Sequence, residues 1–269
     1  MRDTSIGTLT AGMPSRFDRP GRVAFILYVV GIAFFVLSIE GAEMSVSALV
    51  TGLPNMGRMV AEMLPPSPDR LVAVGWALLE TFEMALVGTA FGVLLSLPFG
   101  ILATRGLTPS PALYHLSRAV IAMSRTVPDL VWALFFVVAV GLGPFAGTLA
   151  LVMDTLGFCG RFFAEAMEEA DSGPREALTA LGATRSGTIF SAVIPAAMPS
   201  FVNTSLFALE KATRSSVVLG LVGAGGIGIE LKVSMDMFEY DEAATIILAI
   251  FALVVVVERA SAAFRRRII

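Results

Sequence analysis

Charge is scarce in this chain. Asp, Glu, Lys and Arg make up 15% of its 269 residues, where a soluble domain carries about 25%. Hydrophobic residues account for 56% and the mean hydropathy is +0.81. Such a chain cannot clothe a water-facing surface, so a soluble enzyme is excluded and a polytopic membrane protein is expected. Cys159 is the only cysteine; an intrachain disulfide is impossible, and the residue reads as a small apolar filler. His115 is the only histidine, without neighbours at metal-ligand spacing, and reads as a surface residue. Zinc signatures, Cys/His pairs and nucleophile elbows are missing, so a membrane enzyme is a distant alternative. No G-x-x-x-x-G-K-[ST] phosphate loop occurs, so no ATP site, and no other cofactor site, is expected in the chain itself. No internal repeat, low-complexity segment or nucleic-acid partner is evident.

What is present is a series of apolar runs separated by short polar ones. Residues 1–22 form a basic tail with Arg2, Arg16 and Arg19, expected in the cytoplasm. Val23–Ile39 is a first span of about 17 residues, near the lower limit; a signal peptide is the alternative, but no small-x-small cleavage site follows. Residues 40–70 are polar and broken by Pro54, Pro65, Pro66 and Pro68. Within them Val46–Leu64 can lie as an amphipathic helix on the outer face. A second span covers Leu71 to about Thr104, with Glu80 and Glu83 in its outer part and Gly88, Gly92 and Gly100 available for close helix approach.

Arg105 to Arg125 reads as a turn and interfacial helix on the inner side. Arg125 and Asp129, four apart, can pair on one helix face ahead of a third span ending near Leu142. Gly141–Pro144 is a tight outer turn. A fourth span, Phe145–Phe163, contains Asp154. The fifth, Pro199 to about Leu221, carries Glu210, Lys211 and Arg214, and the sixth is Ala243–Val257. Arg265, Arg266 and Arg267 end the chain in a second basic tail, residues 263–269. Six spans with both termini inside satisfy the rule that Lys and Arg concentrate in the cytoplasm.

The polar stretch between the fourth and fifth spans, residues 165–199, reads as two short helices joined by a sharp turn. Pro174 suits a first helical position, Glu176 the positive helix end, Gly182 a left-handed terminus, and Thr184 the cap of the next helix. From these features alone it is a solvated helical hairpin. After the fifth span comes Gly220–Gly228. Gly223, Gly225 and Gly228 match G-x-G-x-x-G formally, but no strand precedes them, so a dinucleotide site is rejected. Two readings stay open: a flexible outer turn, or a gate segment, with Gly223, Gly225 and Gly226 in it, whose bare backbone meets that of a second copy. Lys211 and Arg214, with Ser215 beside them, are open in the same way. They are either internal ion pairs with Glu210, Glu80, Glu83 or Asp154, or cations of a pathway for an anionic solute.

Glu176-Ala177, Leu181-Gly182 and Ile194-Pro195 resemble the EAA loop of bacterial ABC-importer permeases. Leu178 stands where a second Ala is usual, Ala192 where Ile is, and Ile194 where Leu is. Arg125-Thr126-Val127-Pro128-Asp129-Leu130-Val131-Trp132-Ala133-Leu134 and the run Arg214–Gly228 closely resemble the phosphonate-importer permeases. Glu80, Thr81, Gly88 and Gly92 resemble the first core helix of the methionine and phosphonate branches. The resemblance spans roughly residues 70–260. It implies an all-α type I ABC-importer permease of the methionine-permease kind, in the bacterial cytoplasmic membrane. Residues 73–262 would form the permease domain, and 23–72 an accessory span and external segment. It implies a pair of such chains, two ATP-binding subunits that hydrolyse ATP with Mg on the inner side, and an external phosphonate-binding protein. Arg175, Glu176, Ala177, Leu178, Leu181, Gly182, Ala183 and Thr184 would dock the ATPase. Lys211, Arg214, Ser215, Gly223, Gly225 and Gly226 would serve the pathway or its gate. Methionine, phosphate or phosphite are the alternative solutes.

Overall fold

The structure, a computed structural model, describes residues 21–268, so the basic tail expected over residues 1–22 lies almost wholly outside the described residues. All regular structure among them is helical. The chain divides into two compact units, Met1–Arg58 and Met59–Ile269.

The first unit holds α1 (Arg22–Gly41) and most of α2 (Val46–Glu62). α1 is apolar all round and buries none of its residues, the pattern of a helix that lipid must cover. α2 segregates its apolar and polar residues and keeps Pro54 in its interior.

The second unit is built around two long parallel helices, α3 (Leu71–Leu102) and α6 (Pro144–Glu169). Small residues let them touch. A Cβ on Gly88 would lie 2.6 Å from the Leu151 Cβ, one on Gly92 would strike Thr155, and one on Gly100 would lie 3.2 Å from the Phe163 Cβ. This is the close approach that the glycine spacing of the second span predicts. α6 is the middle of the bundle, surrounded by α3, α4 (Pro111–Thr126), α5 (Asp129–Val140) and α9 (Ile194–Gly220). Cys159 is fully buried in it, among Phe163, Met167 and Phe201.

Four helical runs among the described residues are long and apolar enough to cross a bilayer: Arg22–Gly41, Leu71–Leu102, Arg185–Gly220 and Tyr240–Arg267. The pair α4 and α5, bent by 94°, passes the same test only when the two are taken as one span. The remaining expected span coincides with α6, 26 residues long but diluted by Asp154 and Arg161. A helix sheathed by its neighbours faces protein rather than lipid, so it tolerates such residues.

Three local expectations change. Arg125 and Asp129 do not share a helix, because the chain breaks between them: Val127 is extended (φ −77°, ψ 121°) ahead of Pro128, as residues before proline prefer. Asp129 instead accepts from the Leu130 N–H at 2.9 Å, and α4 lies along α6 rather than apart from the bundle, with Ile121 3.1 Å from where a Gly160 Cβ would be. The fifth span starts much earlier than Pro199. α8 (Arg185–Thr188), a π turn (Ile189–Val193) and α9 run on as one 36-residue helical run. Pro195 is absorbed because the π turn and the first turn of α9 release the N–H group that a proline lacks, whereas Pro199 lies inside α9. α11 (Tyr240–Ile268) likewise outruns Ala243–Val257 at both ends.

Candidate functional site

Between α6 and α8 the chain leaves the bundle as α7 (Ser172–Ala180). Asp171 caps it, accepting from the Gly173 N–H at 3.0 Å, so the helix opens two residues before Pro174. Pro174 still falls among the first N–H positions that no helix bond needs. The far end closes as its sequence predicts: Gly182 has φ +80°. Its N–H donates to the Thr179 carbonyl at 3.0 Å, and the Ala183 N–H to the Leu178 carbonyl at 3.0 Å. These are the paired bonds of a Schellman motif. Thr184 then caps α8 through the Gly187 N–H at 3.2 Å.

The eight residues expected at the coupling surface thus form one projection that buries none of α7. Glu176 and Ala177 are exposed, and Leu181 is 83% exposed. Arg175 is the inward-turned member, its Nη1 3.7 Å from where a Gly106 Cβ would stand. Gly106 belongs to the α3–α4 turn. That turn is also tied to the end of α6, where Glu168 Oε1 accepts from the Arg105 N–H at 2.9 Å.

The charges of α9 are mostly paired. Lys211 Nζ donates to Asp154 Oδ1 at 2.7 Å and lies 5.4 Å from the centre of the Phe158 ring. Glu210, only 7% exposed, receives Arg265 Nη2 at 2.8 Å. Lys211 therefore pairs across to α6 and not with its neighbour Glu210, whose partner comes from the end of α11. The sequence offered no signal for that last pair, because 55 residues separate its members. Arg214 is exposed, with half-buried Ser215 beside it, and makes no ion pair among the described residues.

The glycine run is a packed corner. Gly223, Gly225 and Gly226 have φ of +85°, +93° and +74°, which L side chains rarely accept. A Cβ on Gly225 would lie 2.6 Å from the Pro144 Cα, and one on Gly226 2.6 Å from Thr81 Oγ1. Two side chains of α3 hold the corner: Glu80 Oε1 accepts from the Gly226 N–H at 2.9 Å and Thr81 Oγ1 from the Ile227 N–H at 2.7 Å. Ala224 to Gly228 are buried. The corner is therefore packed and hydrogen-bonded into the bundle. The bare backbone of Gly225 and Gly226 packs against Pro144 and Thr81 of this chain, and Glu80 is bound here rather than to Lys211 or Arg214. On the same side of the bundle Arg70 clasps α10 (Ile227–Asp236) and α11 through Glu230 at 2.7 Å and Glu242 at 3.3 Å. The hydrogen bond to Glu242, then the charge of Glu230, raise its pKa above the ordinary arginine value.

Residues 96–269 match the family described as binding-protein-dependent transport system inner membrane component. The chain is 41% identical over 256 residues, 94% of its length, to the phosphate-import permease protein PhnE of Mycolicibacterium smegmatis, and spans only 47% of that relative. It is 36% identical over 246 residues to the phosphite transport system permease protein PtxC of Stutzerimonas stutzeri, covering 91% of this chain and 88% of that one. Among solved structures, an inward-facing MetNI methionine ABC transporter aligns with a TM-score of 0.67 at 26% identity, covering 76% of this chain and 99% of the other.

Proposed function

The chain belongs to the binding-protein-dependent transport system inner membrane components, and is thus a permease component of an ABC importer and not itself an enzyme; from that premise we propose that it carries phosphorus oxyanions, phosphonates first, and is driven by a separate ATPase docked on α7. The observation that carries the coupling half is continuity. α7 projects unburied with its end pinned by Gly182, and three residues after Gly182 begins the continuous helical run Arg185–Gly220 that bears Lys211 and Arg214. Movement of α7 by ATPase closure is passed directly to the helix with the pathway cations, and the bundles of two chains rock as rigid bodies between inward- and outward-open states.

In this reading the α7 end of the bundle and both termini are cytoplasmic, and the partners are a second copy, two ATP-binding subunits that use ATP and Mg, and an external binding protein. The Gly220–Gly228 corner, fixed by Glu80 and Thr81, forms the outer gate rim. The substrate half rests on the relatives named for phosphate and phosphite, on the resemblance of Arg214–Gly228 to phosphonate permeases, and on the Arg214 guanidinium, which makes no ion pair among the described residues. A planar fork suits two oxygens of one phosphorus. Uptake by vesicles holding this chain, its ATPase and its binding protein tests both halves. Methylphosphonate, phosphate and phosphite are offered separately, with methionine as the counter-case. ATP-dependent uptake of a phosphorus anion and none of methionine is expected; methionine uptake alone would overturn the substrate assignment.

A further inference from the structure

A second cluster of cations lies nearer to α7, between α4 and α6, and it shares no residue with the sites described so far. Its geometry follows from small residues. Gly157 and Gly160 let α4 settle onto α6: a Cβ on Gly157 would be 2.7 Å from the Arg125 N, and one on Gly160 3.1 Å from Ile121 Cγ1. Arg118 and Arg125, seven residues apart and so on one face of α4, then meet Arg161 of α6 around a cavity of about 320 Å³. Glu165 is the one carboxylate in its wall, and Arg161 Nε already holds it at 2.7 Å. Arg118 lies 5.4 Å from the Tyr114 ring centre, and neither Arg118 nor Arg125 makes an ion pair among the described residues. Three guanidiniums against one carboxylate leave a concave wall with excess positive charge.

We infer that Arg118, Arg125 and Arg161 form an anion site for a tetrahedral phosphorus oxyanion. The inference rests on the proposed transport of such solutes. Position supports it as well as charge. Arg161 follows Asp154 by seven residues on α6, so it shares the face of the Asp154–Lys211 pair and lies about 10 Å nearer to α7. Arg214 and this cavity are two successive stations, and a pathway of several weak sites lets an anion both enter and leave. A phospholipid phosphodiester also offers two charged non-bridging oxygens to a guanidinium, so the occupant is either the free solute or a lipid phosphate.

The test uses the purified full-length chain in phosphatidylcholine nanodiscs. Phosphorus-31 line broadening of methylphosphonate reads free-anion binding. Native mass spectrometry after exchange into mixed phosphatidylcholine and phosphatidylglycerol reads lipid retention. R118Q/R125Q should cut the methylphosphonate broadening at least fivefold, R125K should keep part of it, and E165Q, which removes the competing carboxylate, should strengthen it. Should methylphosphonate fail to broaden while phosphatidylglycerol is retained and then lost in R118Q/R125Q, the occupant is the lipid phosphate. If neither signal responds to R118Q/R125Q, the site is overturned. Where the double variant does not fold, signals that stay unchanged in E165Q overturn it equally. A wild-type transporter that imports phosphonate while these variants bind normally removes this site and leaves the transport reading standing. A transporter that imports no phosphorus anion removes the reading itself.

Discussion

Lys211 and Arg214 differ by three positions and have opposite situations. Lys211 is held by Asp154, so Lys211→Gln strands a carboxylate that is only 15% exposed. Breaking a buried pair costs about 3–5 kcal/mol, reduced here because Lys211 is itself partly exposed. A loss of assembled protein is expected for K211Q, with recovery in D154N/K211Q, read by size-exclusion yield in detergent. Arg214→Gln breaks no ion pair among the described residues. It should slow anion uptake several-fold and leave assembly and basal ATPase activity near wild type. An R214Q variant that fails to assemble would place Arg214 in the structure instead of the pathway. Glu210 gives a third case. It is buried and depends on Arg265, so Arg265→Ala should lower stability by about 2 kcal/mol, below the range for fully buried pairs. E210Q/R265A should recover part of it in thermal melts.

At the level of the element, α7 is set apart by how it ends. Gly182 at φ +80° makes no contact that a Cβ would disturb, so the backbone angle alone demands glycine. A non-glycine residue there costs of order 1 kcal/mol or more in strain, and asparagine least. Gly182→Arg should leave insertion intact but abolish ATPase association, and Gly182→Asn should retain most of it; co-purification of the ATPase reads both. Equal retention by the two variants would remove the Schellman turn from the coupling role. α3 and α6 present the converse case, because their glycines are required by contact. Gly92→Leu drives a side chain into Thr155, and overpacking costs about 1–3 kcal/mol. The folded yield should fall, while the exposed α7 surface itself is untouched.

For the whole molecule, the decisive question is which end faces the cytoplasm. Single cysteines placed at Pro66, Ser172 and Asp236, all exposed, in a Cys159→Ser background should sort cleanly. An impermeant reagent added outside should reach positions 66 and 236 and not 172. Labelling of position 172 from outside would reverse the bundle and remove α7 from any ATPase. The two ends are built differently. One is clasped by Arg70, Glu230 and Glu242 and by the buried glycine corner. The other leaves α7 unburied.

The sequence by itself determined the class of molecule and most of its elements. Apolar runs too long for soluble helices require a bilayer whatever their partners. Local backbone chemistry placed the Gly182 terminus and the Thr184 cap, because each depends on neighbours in the chain, and helical spacing put the glycines of α3 where a second helix can approach. The length of the α8–α9 run stayed hidden, since Pro195 and Pro199 argue for a break and the helical run carries both. Only the tertiary structure decided which charges neutralise one another. Lys211 meets Asp154 across 57 residues and Glu210 meets Arg265 across 55. It also decided that the glycine corner is spent on Pro144 and Thr81, and that three arginines of α4 and α6 surround one cavity. Pairing energies fall with distance in space, and separation along the chain does not report that distance.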